Sequence, residues 1–240
     1  MIHLAPLFAL NVDVGHHITR KLFGVTLNVD TIAASLIATA VVLGLGFALR
    51  AKATSGVPGK LQLVWEVIIE QVQEVVDSTI GPAGARVVPL AVALFVFILV
   101  ANLVEVVPTG ARQDLLPAPT SDVNLPYALA LFVIILVHAA SIRARGVRGY
   151  LRHYVQPFKP FLPINIIEEI TKPVTLALRL FGNMFAGGLM VSLIALLPVF
   201  MVAPANPIWK LFDIFIAVIQ AFIFALLTII YFGMAMEVEH

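Results

Sequence analysis

The sequence contains no cysteine in 240 residues. That absence excludes disulfides, thiolate metal sites and cysteine nucleophiles. Charge is the second shortage: Asp, Glu, Lys and Arg make up 12% of the chain, against about 25% in a soluble domain. The charges nearly cancel at a net +1, so no basic field exists to recruit nucleic acid. A Gly-rich phosphate loop of the G-x-x-x-x-G-K-[ST] kind is missing, which argues against an ATP site of the chain's own. There is no H-E-x-x-H pair and no Ser-His-Asp pattern. His16, His17, His138, His153 and His240 are scattered, and these residues predict no metal and no cofactor. His138 reads as a packed or hydrogen-bonded residue. The N-terminus, Met1-Ile2-His3-Leu4-Ala5-Pro6, lacks the basic stretch of a secretory signal, so no cleavable targeting segment is expected. Internal repeats are also absent, which removes sequence support for an inverted-repeat transporter.

What is abundant is apolar sequence. Sixty per cent of residues are hydrophobic and the mean hydropathy is +1.01. An N-terminal segment, 1–30, is mixed and precedes a single membrane domain, 31–240. Apolar runs predict spans at about 31–49, 87–107, 123–142, 164–203 and 207–236, each long enough to cross about 30 Å of hydrocarbon. Residues 60–80 differ in kind. Leu61, Val64, Val67, Ile68 and Val75 recur at helical spacing among Glu66, Glu70, Glu74 and Asp77, which predicts an amphipathic helix at the membrane surface or against a partner. Pro204, Asn206 and Pro207 predict the turn of a long C-terminal hairpin. The last two stretches exceed the bilayer thickness, so they must tilt, kink or leave it. The fold class is therefore an all-α integral membrane protein with about five crossings, one surface helix and a long tilted hairpin. Arg50, Lys52 and Lys60, and then Arg143, Arg145, Arg148, Arg152 and Lys159, mark the inner loops. That places the N-terminus outside and the C-terminus in the cytoplasm, with Arg20-Lys21 dissenting mildly.

One residue stands against this background. Arg179 lies in Leu176-Ala177-Leu178-Arg179-Leu180-Phe181-Gly182-Asn183-Met184. A guanidinium keeps its proton, and holding one near a bilayer centre costs about 2.5–3.5 kcal/mol on insertion scales. A snorkelling arginine is the alternative, but apolar sequence extends more than two turns on both sides and snorkelling reaches one or two. Glu168, Thr171 or Lys172, Thr175, Arg179, Asn183 and Gly187 recur at spacings of three and four, which predicts one polar face along the first long helix. Asp213, Gln220, Thr228 and Tyr231 follow at offsets near whole turns on the second. Gln220 can hydrogen-bond to Arg179 or Asn183 if the hairpin packs face to face. Glu105, Asp122, Asn102 and Asp213 lie toward the outer side; Glu168, Glu169 and Thr175 lie toward the inner one. The pattern suggests two polar half-pathways separated by a fixed cation. A self-contained ion channel or secondary transporter, with Arg179 as substrate anchor, is the alternative; an inert membrane scaffold fits the polar stripes less well.

The strings Leu178-Arg179-Leu180-Phe181-Gly182-Asn183-Met184 and Gln220-Ala221-Phe222-Ile223-Phe224 resemble signature segments of subunit a of the F-type ATP synthase. So do Pro163-Ile164-Asn165-Ile166-Ile167-Glu168-Glu169 with Lys172-Pro173, Ser121-Asp122-Val123-Asn124, and Asn102-Leu103-Val104-Glu105. The resemblance runs in order from about residue 30 to the C-terminus. It implies a non-catalytic stator subunit in a bacterial plasma membrane, packed against a rotating c-ring and held by peripheral-stalk b-type subunits in the lipid bilayer, with protons as cargo. By the same resemblance Arg179 pairs with the ring's carboxylate, and Asn183 and Gln220 lie beside it. Asn102, Glu105, Asp122, Asn124 and Asp213 would line the outer half-channel. Glu168, Glu169, Thr175 and Tyr231 would serve the inner one. Two departures from the family pattern stand out: Gly188 where many members have glutamate, and Asp213 where many have histidine. Here the acid sits on the second helix, as in an actinobacterial branch.

Overall fold

The computed structural model describes residues 19–22, 25–104, 119–153, 155 and 158–236. Six helices carry the fold: α1 Val29–Lys52, α2 Lys60–Thr79, α3 Val88–Val104, α4 Asn124–His153, α5 Leu162–Ala195 and α6 Val199–Met236. Helices α1, α4, α5 and α6 are long and apolar enough to cross a membrane, and α3 is a shorter apolar helix. The protein is a multi-pass membrane protein. The far end of the predicted second span, residues 105–107, lies outside the described residues. The mixed N-terminal segment holds a feature its composition did not announce. Strand β1, Thr19–Leu22, pairs antiparallel with β2, Val25–Asn28, and β2 runs directly into α1.

The hairpin turn is displaced from its predicted place. The chain turns at residues 196–198, and Pro204, Asn206 and Pro207 lie inside α6. Proline removes one donor and crowds the preceding turn, but it ends a helix only when the freed groups find no partner. In a membrane, leaving the helix exposes several backbone groups, so interior prolines persist there. The shift makes α5 34 residues and α6 38 residues long, or about 51 and 57 Å at 1.5 Å per residue. It also moves Asp213. That carboxylate is not at the turn but about four turns into α6.

Helix α6 is the central element, and its sequence explains why. Ala217, Gln220, Ala221, Phe224, Ala225, Thr228, Ile229, Phe232 and Ala235 are buried and fall at spacings of three and four, one continuous face. That face packs against α3, α4 and α5. Alanines let the neighbouring backbones approach closely, as small residues do between membrane helices. The opposite face carries Ile208, Leu211, Phe215, Val218 and Phe222, all exposed on the chain. The predicted amphipathic helix is present as α2. It buries Val76 and lays Trp65, Ile68, Val72 and Val75 against α3 and α6. A 3-10 turn at Pro82–Arg86 links it to α3, with Gly84 so close that a Cβ there would meet Val76 Cγ1 at 2.5 Å.

Helix α4 changes direction at Gly146, where φ is +70° and ψ is 166°. Side chains rarely adopt that φ, and glycine does so without steric cost. The bend swings the basic end of α4 back along itself, bringing Tyr150 to His138, twelve residues earlier. Arg145, just before the bend, donates from Nη2 to the Met234 carbonyl at 2.8 Å. It thereby caps the last turn of α6, where carbonyls lack helical partners and a cation is favoured.

Candidate functional site

The polar residues of α5 do not share one face for its whole length. Residues four apart advance about 40° around a helix. The lane from Glu168 through Thr175, Arg179 and Asn183 to Gly187 therefore winds from the outward face toward α6. Pro173, Leu176, Ala177, Leu180 and Met184 form the buried face. Glu168, Thr175 and Arg179 are exposed on the chain. Arg179 makes no hydrogen bond or ion pair with any described residue. Its flank is apolar and open, with Leu178 49% exposed and Phe185 40% exposed. Thus a permanent cation is exposed in the middle of α5, without a partner among the described residues.

One turn on, the lane meets α6. Asn183 Nδ2 donates to Gln220 Oε1 at 2.7 Å. The sequence left Arg179 and Asn183 open as partners of Gln220; Asn183 is the one. Gln220 is 1% exposed, and its Nε2 is buried without a hydrogen-bond partner among the described residues. Another turn on, the hairpin closes at Gly187, where a Cβ would stand 3.3 Å from Asp213 Oδ1. Glycine thus makes room for the carboxylate. Asp213 Oδ2 is buried and accepts no hydrogen bond from a described residue. Arg179, the Asn183–Gln220 pair and Asp213 are therefore arranged in order along one seam.

A second polar group gathers away from that seam. Asp122 is buried and accepts from the Asn124 backbone N–H at 3.0 Å and Asn124 Nδ2 at 2.8 Å. Its other oxygen accepts from Asn28 Nδ2 at 2.6 Å. Asn102, also buried, accepts from Thr120 Oγ1 at 2.6 Å, while its Nδ2 is unpaired among the described residues. The turn Pro119–Ser121 packs against α1, α3, α4 and α5, which brings these residues onto the helical body. Sequence reasoning found Asn102, Asp122 and Asn124 but missed Asn28, Asp30, Thr31 and Thr120. Asp30 is buried and accepts from the Thr31 backbone N–H at 2.9 Å. The missed signal was a carboxylate at the first turn of an apolar span, easily taken for a dipole-stabilising end residue. Glu105 lies outside the described residues.

The third group lies where α4 and α5 meet. Lys172 Nζ reaches Glu169 Oε2 at 2.9 Å and Glu168 Oε1 at 3.8 Å. Glu169 Oε1 stands 3.6 Å from His138 Nε2, and His138 Nδ1 is 3.4 Å from the Tyr150 hydroxyl. His138 is hydrogen-bonded, as its sequence context suggested. Thr175 turns its hydroxyl to the backbone carbonyls of Thr171 at 2.9 Å and Lys172 at 3.1 Å. Those contacts serve the local helix around Pro173. Tyr231 packs its ring against the main apolar core and bonds none of these acids. Among the described residues no group of three His, Asp or Glu side chains could hold a metal ion.

This is a helical membrane protein built round a long polar hairpin, with an exposed arginine midway along α5 and separate acidic groups elsewhere on the chain. Residues 32–233 match the ATP synthase A chain family. The chain is 50% identical over 228 residues to ATP synthase subunit a of Acidothermus cellulolyticus, covering 95% of this chain and 84% of that one. It is 47% identical to the subunit a of Mycobacterium leprae over 237 residues, 95% and 94% of the two chains. For Mycobacterium tuberculosis the identity is 47% over 242 residues, 97% of each. The chain belongs to the ATP synthase A chain family.

Proposed function

We propose that this chain is the proton-conducting stator subunit of a rotary F-type ATP synthase. The observation that carries the proposal is the exposed guanidinium of Arg179 in the middle of α5, unpaired among the described residues. Leaving such a charge against hydrocarbon costs several kcal/mol, and no described residue of its own chain supplies a counter-charge. A ring of small subunits, each with a membrane-embedded carboxylate, supplies such groups in succession. Arg179 draws each carboxylate into its charged form as the ring passes and, keeping its own proton, blocks direct leakage between the two sides. Asp213, Asn102, Asp122 and Asn124, with Glu105, serve the outer half-path. Glu168 and Glu169 serve the inner one, with Thr175 and Tyr231 as flanking hydroxyls. Names of the relatives, and the exposed lane on α5, support this reading over a self-contained transporter, whose charged residue would face an internal cavity.

Purification separates the two. Solubilised gently and captured through this chain, the protein is expected to bring down small two-helix ring subunits and b-type stalk subunits at fixed ratios. Isolation as a lone monomer or homo-oligomer would favour the transporter. The orientation follows the basic loops, with the α4–α5 connection on the cytoplasmic side.

A further inference from the structure

Resting on the stator reading, we propose that His138 is a proton-transfer residue of the inner half-path, working with Glu169 across the α4–α5 junction. The observation is a continuous line of titratable side chains from two helices. Tyr150 hydroxyl, His138 Nδ1, His138 Nε2, Glu169 Oε1, Glu169 Oε2 and Lys172 Nζ follow one another at 3.4, 3.6 and 2.9 Å across the three gaps between residues.

Three features favour transfer over simple bracing. The imidazole presents a different nitrogen to each neighbour, so a proton accepted at Nε2 can leave from Nδ1 and the ring returns to a neutral tautomer. The 3.6 Å between Glu169 Oε1 and His138 Nε2 is within half an ångström of the 2.6–3.2 Å of direct transfer, and such contacts tighten in the working state. Burial is partial, with His138 28% and Glu169 21% exposed at the side chain, so the line meets both the protein interior and its edge. In the step itself, protonated Glu169 loses its proton from Oε1, which leaves the carboxylate. Nε2 binds that proton, and Nδ1 releases one to solvent beside Tyr150. Lys172 Nζ, 2.9 Å from Glu169 Oε2, then pairs with the carboxylate left behind.

Helix α4 itself carries Arg143 and Arg145 before the Gly146 bend and Arg148 and Arg152 after it. Helix α5 presents Glu169, with Lys172 and Glu168 behind it. The folded-back end of α4 presents Tyr150, and this contact depends on the Gly146 bend. Helix α6, packed on the other side of α4, has Tyr231 as its one titratable group among residues 229–236.

The test uses the intact complex in inverted membrane vesicles, with ATP-driven proton uptake measured between pH 6 and 8.5. His138→Gln keeps hydrogen bonding to both neighbours but cannot carry a proton; uptake is expected to fall about a hundredfold. His138→Ala should fall at least as far and regain a large part of its rate when imidazole is added to the buffer. A bracing role predicts no such regain. Native uptake by His138→Gln across the pH range, or loss in His138→Ala without rescue by imidazole, would overturn the proposal. Arg179→Ala run in parallel keeps the two readings apart: if it too pumps at the native rate, the stator reading itself fails.

Discussion

Arg179→Ala is expected to abolish ATP-driven proton uptake, with a fall of at least about a hundredfold, equivalent to about 2.7 kcal/mol in a rate-limiting step. The complex should still assemble, because Arg179 is exposed and bonds no described residue of its own chain. Its removal takes away no packing from the buried face of α5, which Leu176, Ala177 and Leu180 provide. What disappears is the fixed positive charge. Without it a ring carboxylate has no reason to ionise inside the membrane, and nothing electrostatic separates the two half-paths. Arg179→Lys is expected to recover little, since a lysine offers a deprotonatable point charge in place of a permanent planar fork. Uptake assays with co-purification of the ring as the assembly control check both variants.

The second large effect is expected at Asp213. Asp213→Asn preserves shape and hydrogen-bonding capacity but cannot carry a proton at any working pH. The carboxylate lies in the seam between α5 and α6, against Gly187, with one oxygen buried and unpaired among the described residues. From residue 176 to the C-terminal end of the described chain, Arg179, Lys210, Asp213 and Tyr231 are the titratable side chains. Asp213 is thus the one carboxylate on that part of the hairpin. Loss of a positioned proton carrier typically slows transfer by about 10²–10⁴-fold, and uptake by Asp213→Asn should fall by about a hundredfold, with Asp213→Glu partly active. Native uptake by Asp213→Asn would remove Asp213 from the proton path.

Much of this arrangement was legible in the sequence because the bilayer allows few solutions. Apolar runs of 20 residues read as spans whatever they pack against, and a permanent charge inside one is conspicuous. The Asn183–Gln220 bond was foreseeable because two amides on facing helices have few other partners in hydrocarbon. Proline misled the reading of the hairpin: Pro204 and Pro207 look like a turn by local rules, yet the membrane penalises an exposed break more than two missing donors, and Pro198 marks the real end. That misplacement hid how deep Asp213 lies. Asn28 was missed because its role comes from contact with a segment some ninety residues away. The Tyr150–His138 contact depends on a positive φ at Gly146, which no periodicity reveals.

The central claim is that the Arg179 side of α5 faces the ring. Cysteine cross-linking tests it directly, because the chain has no native cysteine to interfere. Single cysteines placed at Thr175 and Leu178, on the exposed lane, would be paired with a cysteine one turn from the ring subunit's carboxylate. Cysteines at Leu131 and Ile135, on the exposed face of α4, serve as controls. Oxidation is predicted to give disulfide-linked products between this chain and the ring from the α5 positions, and none from the α4 positions. Cross-links from α4 with none from α5 would place the arginine away from the ring and contradict the account.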